Sequence, residues 1–291
     1  MRTIIQKALL VLFGVFFVAG LASSAIAEDE DTDSKTRVVE EEIVLFDPTV
    51  AAKKKWVIGG SYDYWKVKGE YSQNDSYGDA YATGKIDGSN AGGSVWIGYD
   101  VLTLAYTTRS GSWDIDSTLD VSYTTPPTPG VEYLVEQDQK EDEVTLRVLI
   151  PGKTASLYFL AGVSVIKIEE TNTLTTPGWT WNSTGTPERT SESTYTNGLL
   201  GVGLILPFNK YVGVRGDIRG MFGSVDYEDG VGYTTNVSCG GLAGTGTFYV
   251  NIYKGLNVQG GVKAMSLGCE DAWLDYSRVG TFASAGYSYK F

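Results

Sequence analysis

The chain has 291 residues, a formal net charge of −12, two cysteines and no histidine. That acidity argues against nucleic acid as a partner, and the missing histidine removes the commonest general base. With 36 Gly and 19 Tyr alongside abundant Ser and Thr, the composition suits an all-β chain.

At the N-terminus, Arg2 and Lys7 precede and flank an apolar run from Ala8 to Ala22, and Ala25-Ile26-Ala27 reads as a cleavage motif. This pattern predicts a cleaved signal peptide over residues 1–27. The apolar run is fifteen residues long, short of the roughly 20 that a spanning helix needs. Cleavage would remove two positive charges and no acid, leaving 264 residues at −14. Residues 28–54 form a charged, acidic leader holding one short apolar stretch, Ile43-Val44-Leu45-Phe46. Its composition predicts disorder, with docking or plugging by that stretch as the alternative.

From Trp56 onward the chain alternates with a period of two in segments of about ten residues. Ten such segments are predicted: about 55–67, 91–99, 102–112, 140–151, 155–168, 193–206, 211–227, 240–252, 256–268 and 278–291. Tight turns at Tyr99-Asp100, Pro151-Gly152-Lys153, Pro207-Phe208-Asn209 and Tyr253-Lys254-Gly255 alternate with longer connections. The longer ones are 68–90, 113–139, 169–192, 228–239 and 269–277. Short turns at one end and long loops at the other predict a transmembrane, antiparallel, up-and-down β-barrel of 10 strands, with 8 or 12 as alternatives.

Register is legible in places. Pivoting the eighth and ninth strands on Lys254 faces Leu242, Gly244, Gly246, Phe248 and Val250 with Ser266, Ala264, Val262, Gly260 and Val258. Both rows are apolar or small, while the other face pairs Asn251 with Asn257 and Tyr249 with Gln259; a slip by one residue would mix the faces. In the third and fourth strands the outward rows Leu102, Leu104, Tyr106 and Val144, Leu146, Val148 turn polar at one height. That predicts a hairpin projecting into solvent and closing around Pro126-Pro127. The last strand carries Tyr287, Tyr289 and Phe291 on one face.

The signal peptide, the alternating strands over residues 55–291 and the terminal Tyr287-Ser288-Tyr289-Lys290-Phe291 resemble those of bacterial outer-membrane β-barrel proteins. The resemblance implies a Gram-negative outer-membrane location, a periplasmic leader and lipid as the surrounding partner. It also implies that Tyr287, Tyr289 and Phe291 form the signal read by the barrel-assembly machinery. The same side chains suit an interfacial aromatic girdle. Cys239 and Cys269 fall opposite each other on the Lys254 pivot, and an oxidising cell surface predicts a disulfide between them. Two free thiols or a metal site are the rivals. With no histidine and no third cysteine, zinc is a poor fit.

The outer-membrane enzyme families (omptin proteases, phospholipases and lipid A acylases) resemble one another in relying on a histidine base, so no enzyme is expected here. No cofactor and no metal are expected either. Asp114 with Asp116, and Asp226 with Glu228 and Asp229, lack a recognisable ligand spacing and read as solvated loop acids.

The inward rows carry charge. Arg215, Asp217 and Arg219 share one face of the seventh strand, and other strands add Asp63, Arg109, Glu143, Arg147 and Lys263, with Lys290 at the mouth. The expected cluster is Arg147, Arg215, Asp217, Arg219 and Lys263. It predicts either a paired network plugging a narrow barrel or a porin-like channel for small solutes with a mild anion preference. A third reading is adhesion or ligand binding through loops 113–139 and 169–192, the latter holding Thr171, Thr173, Thr175, Thr176, Trp179 and Trp181.

Overall fold

A computed structural model describes residues 56–290, apart from 75–79, 122–127, 153, 178–187, 231, 254 and 271–274. The expected signal peptide and leader lie outside the described residues. The strands are β1 (Trp56–Asn74), β2 (Ala80–Tyr99), β3 (Leu102–Val121), β4 (Thr128–Ile150) and β5 (Ser156–Leu174). They continue as β6 (Glu188–Pro207), β7 (Val212–Asp229), β8 (Thr234–Tyr253), β9 (Leu256–Cys269) and β10 (Asp275–Lys290). Each strand pairs antiparallel with its sequence neighbours. β1 then pairs with β10, from Val57↔Lys290 to Ser72↔Asp275, closing the barrel. Closure satisfies both edges, as a sheet in lipid requires.

The tight turns at Tyr99-Asp100 and Pro207-Phe208-Asn209 fall where the sequence places them; Lys153 and Lys254, in the other two, lie outside the described residues. Asp100 takes a positive φ of 54°, which Asp tolerates better than most side chains. Asn209 Oδ1 accepts hydrogen bonds from the backbone N–H of Tyr211 (2.8 Å) and Val212 (3.0 Å), closing the turn after Pro207. The β8–β9 register is the predicted one, running from Cys239↔Cys269 to Asn251↔Asn257.

At the far end the strands are longer than the sequence reading. Much of the expected connections 68–90, 113–139 and 169–192 is strand, with β3 and β4 pairing out to Leu119↔Val131. The expected closure of this hairpin around Pro126-Pro127 lies outside the described residues, and β2 and β5 pair along β3 and β4 out to Ala80↔Val121 and Tyr133↔Leu174. The strand ends escaped detection because their polarity inverts. Near the tight turns, Val95, Leu104, Leu146, Phe159, Leu200 and Phe248 point outward and are about half exposed. Farther along, the outward positions are polar, such as Asp138, Lys140 and Lys167, while Val67, Ile86, Ile115, Val135, Ile166 and Ile168 point inward and are buried. A search for apolar-out alternation stops where the apolar face changes sides.

Glycines let aromatic rings lie flat across the lumen wall. Gly59, Gly203 and Gly213 stand directly opposite Trp96, Tyr158 and Tyr249. A Cβ at Gly203 would sit 2.1 Å from the Tyr158 ring. Gly203→Val is therefore expected to lower stability by about 1–3 kcal/mol through overpacking. Gly220→Val, where a Cβ would meet nothing closer than 3.8 Å, is the control. Urea unfolding in lipid vesicles checks this, and equal midpoints for the two variants would disprove it.

Candidate functional site

The lumen holds four zones. Nearest the tight turns, Val57, Leu149, Ile205 and Tyr249 are buried, together with Asn251 and Asn257. Next is a polar chamber of about 100 Å³. All five residues of the expected cluster, Arg147, Arg215, Asp217, Arg219 and Lys263, line it. Beyond the chamber comes an aromatic and cationic layer, and then the inverted apolar filling.

Arg219 is the centre of one network. Its Nη1 donates to both oxygens of Glu143, at 2.9 and 3.0 Å, and its Nε and Nη2 donate to Asp217 Oδ1 at 3.1 and 2.9 Å. Asp217 Oδ2 accepts from the hydroxyls of Thr245 (2.5 Å) and Tyr158 (3.2 Å). The same alternation that makes β7 a strand puts Asp217 and Arg219 side by side on its inner face. Arg215 donates to the neutral Gln259 Oε1 at 3.1 Å.

A second network forms around Glu141, a residue the sequence reading passed over. Arg109 bonds Asp63 at 2.7 Å and approaches Glu141 at 3.5 Å, while Lys263 and Arg278 reach Glu141 at 3.9 and 3.8 Å. Arg278, also passed over, has a fully buried side chain that donates to Gln139 at 2.6 Å. Its guanidinium lies 4.8 Å from the Trp65 ring and 5.6 Å from the Trp113 ring, and Lys263 lies 4.7 Å from Trp65. Cation–π contacts of this kind are worth more when desolvated. Parity could have found both residues, since Glu141 shares its face with Glu143, and Arg278 shares its face with Phe282 and Ser284.

Beyond the outward apolar band, Glu170 faces inward and is partly buried. Trp113 Nε1 donates to Gln137 (2.5 Å), the Gln137 amide donates to Glu170, and Ser191 Oγ donates to Glu170 at 3.4 Å. These partners are all neutral, and burial pushes the Glu170 carboxyl above the usual carboxylate range. A raised folded pKa contributes stability that is fully present below the ordinary carboxylate pKa and is lost as pH rises through the folded value. Glu170→Gln is therefore expected to gain on the parent as pH rises from about 4 to about 8. Unfolding midpoints across that range check it, and parallel curves would refute it.

Cys239 and Cys269 are joined by a disulfide with Cα atoms 4.0 Å apart. Tyr287 and Tyr289 project outward, 49% and 56% exposed, at the tight-turn end. Trp56 and Tyr99, with ring centroids 4.9 Å apart, share that rim. Phe291 lies outside the described residues, as do Trp179 and Trp181 of the suggested binding loop. Asp229, read as a loop acid, instead faces inward and bonds Arg189 at 2.6 Å. Asp226 accepts from Asn236 Nδ2 at 2.5 Å.

The closed ten-strand cylinder with an outward apolar band has the fold of the bacterial outer-membrane β-barrels. Comparison with known families and with curated proteins gives no match. Among solved structures, the chain is similar to the outer membrane protease OmpT from Escherichia coli. Identity is 10% and the TM-score 0.54, covering 84% of this chain and 100% of that one. A Pseudomonas aeruginosa FadL homologue matches at 10% identity and TM-score 0.36, over 81% of this chain and 90% of its own. The outer membrane protein OprG from Pseudomonas aeruginosa matches at 11% and 0.34, over 84% and 99%. At such identities the likeness to OmpT is one of fold.

Proposed function

We propose that the protein is an integral outer-membrane β-barrel closed to constitutive solute flow, its lumen acting as a structural plug. In this reading the tight turns face the periplasm and the long hairpins face outward. The observation that carries it is the inverted filling, in which Val67, Ile86, Ile115, Val135, Ile166 and Ile168 are each at most 3% exposed inside the barrel. Apolar side chains packed across a lumen leave no hydrated path. The paired charges below them also read as a network, because every carboxylate there has a cationic partner within 4 Å. With no histidine in the chain, the protease chemistry of the OmpT class is not carried over. The outward Tyr287 and Tyr289 support the proposed girdle and assembly signal.

The test is single-channel conductance of the purified protein in planar bilayers, with salt gradients. A folded but silent barrel is the expected result. Discrete current steps with anion selectivity would overturn the plug and return Arg147, Arg215, Arg219 and Lys263 to the role of pore lining.

A further inference from the structure

Glu141 is ringed by cations but held at hydrogen-bond length by none of them. Arg109 Nη1 and Lys263 Nζ stand 3.5 and 3.9 Å from its Oε1, and Arg278 Nη2 stands 3.8 Å from its Oε2. Direct charge-assisted N–H···O bonds are about 2.7–2.9 Å long. Glu143, two residues on and on the same face, shows the contrast, since Arg219 reaches both its oxygens at 2.9 and 3.0 Å. A polar contact stretched beyond about 3.5 Å is the length that a bridging water spans.

The bridge has a place. Glu141, Ser164 and Lys263 line a second lumen cavity, of about 10 Å³. Leu199, Met221 and Met265, each at most 6% exposed, close its apolar side. Among the described residues, Glu141 Oε2 and Ser164 Oγ are buried without a hydrogen-bond partner, on residues 4% and 1% exposed. A buried polar atom left unmatched loses its hydration with nothing in return. The cavity has the volume of one water molecule, and it offers the two to four polar partners that such a water needs.

We propose that this cavity is a binding site for a single ordered water, which accepts from the Lys263 ammonium and donates to Glu141 Oε2, with Ser164 Oγ as its third partner. Water carries two donors and two acceptors, so it serves all three at once. The surroundings select a neutral occupant: Arg109, Lys263 and Arg278 repel a metal ion, and the Glu141 carboxylate repels a halide. The bridge links β5 to β4 and β9 across the lumen, joining Ser164 to the Glu141 network. The proposal goes beyond the closed-barrel reading and is decided by a different observable, because conductance does not report a cavity of one molecule.

The test is a crystal structure of the detergent-purified protein at a resolution that shows ordered water. The expected result is one peak in the cavity within about 3.2 Å of Lys263 Nζ, Glu141 Oε2 and Ser164 Oγ. An empty cavity, or a Lys263 ammonium bonded directly to Glu141, would overturn the proposal. Two variants put the same question in solution. Ser164→Ala leaves the space open, whereas Ser164→Val fills it with methyl groups. In a hydrated site valine expels the water and strands Glu141 and Lys263, so Ser164→Val should unfold at a lower urea midpoint than Ser164→Ala. In a dry site valine would fill a void and stabilise, so an equal or higher midpoint for Ser164→Val counts against the proposal. Should Ser164→Val fail to fold, the density of the parent protein decides alone.

Discussion

Arg219→Met is expected to destabilise the barrel by about 3–5 kcal/mol, the range for removing one partner of a buried ion pair. The guanidinium serves two carboxylates at once, with Glu143 bidentate and Asp217 held through Nε and Nη2. Methionine fills much of the same volume, so the cost comes from two buried negative charges left without their nearest cation. Adding Glu143→Gln to Arg219→Met should recover part of the loss, because the partners are coupled rather than independent. Urea unfolding in lipid vesicles measures both effects. A loss below about 1 kcal/mol, the level of an exposed pair, would mean that water reaches and screens this network. The companion variant Asp217→Ala discriminates between roles: a structural network loses stability, whereas a solute passage mainly changes selectivity.

Removing the Cys239–Cys269 bond is expected to have the next largest effect. The cysteines are 30 residues apart in sequence. The loop-entropy model assigns a closure of that length about 3–4 kcal/mol. The bond joins the last residue of β9 to β8, with Cys239 buried against the lumen filling. The double variant Cys239→Ala, Cys269→Ala should unfold at lower denaturant and no longer respond to reductant. The parent treated with reductant should move to the same midpoint. A parent indifferent to reductant, with an unfolding midpoint equal to that of the double variant, would show that the bond contributes nothing to stability.

Much of the architecture was legible because a strand writes its environment into the sequence with a period of two. Leu102, Leu104 and Tyr106 declare lipid, Thr103 and Arg109 declare the lumen, and the pivot on Lys254 sets a register that carries the two cysteines into contact. The same rule fails where environments change along one strand. Beyond Thr108 the outer face meets water and the inner face meets a packed core, so the apolar row passes from the outward positions of Leu104 and Tyr106 to the inward positions of Trp113 and Ile115. Local alternation cannot reveal that exchange without knowing what lies across the barrel.

The lumen chemistry divides in the same way. By itself the sequence determined a ten-strand barrel, its tight turns, the β8–β9 register and an inward set of charges, since each follows from near neighbours along the chain or across one hairpin. Only the tertiary structure decided which charges meet. Arg219 finds Glu143 from 76 residues away, and Arg278 finds Gln139 from 139. Those distances are set by closing the sheet, when side chains from non-adjacent strands converge on one axis and burial makes their pairing count.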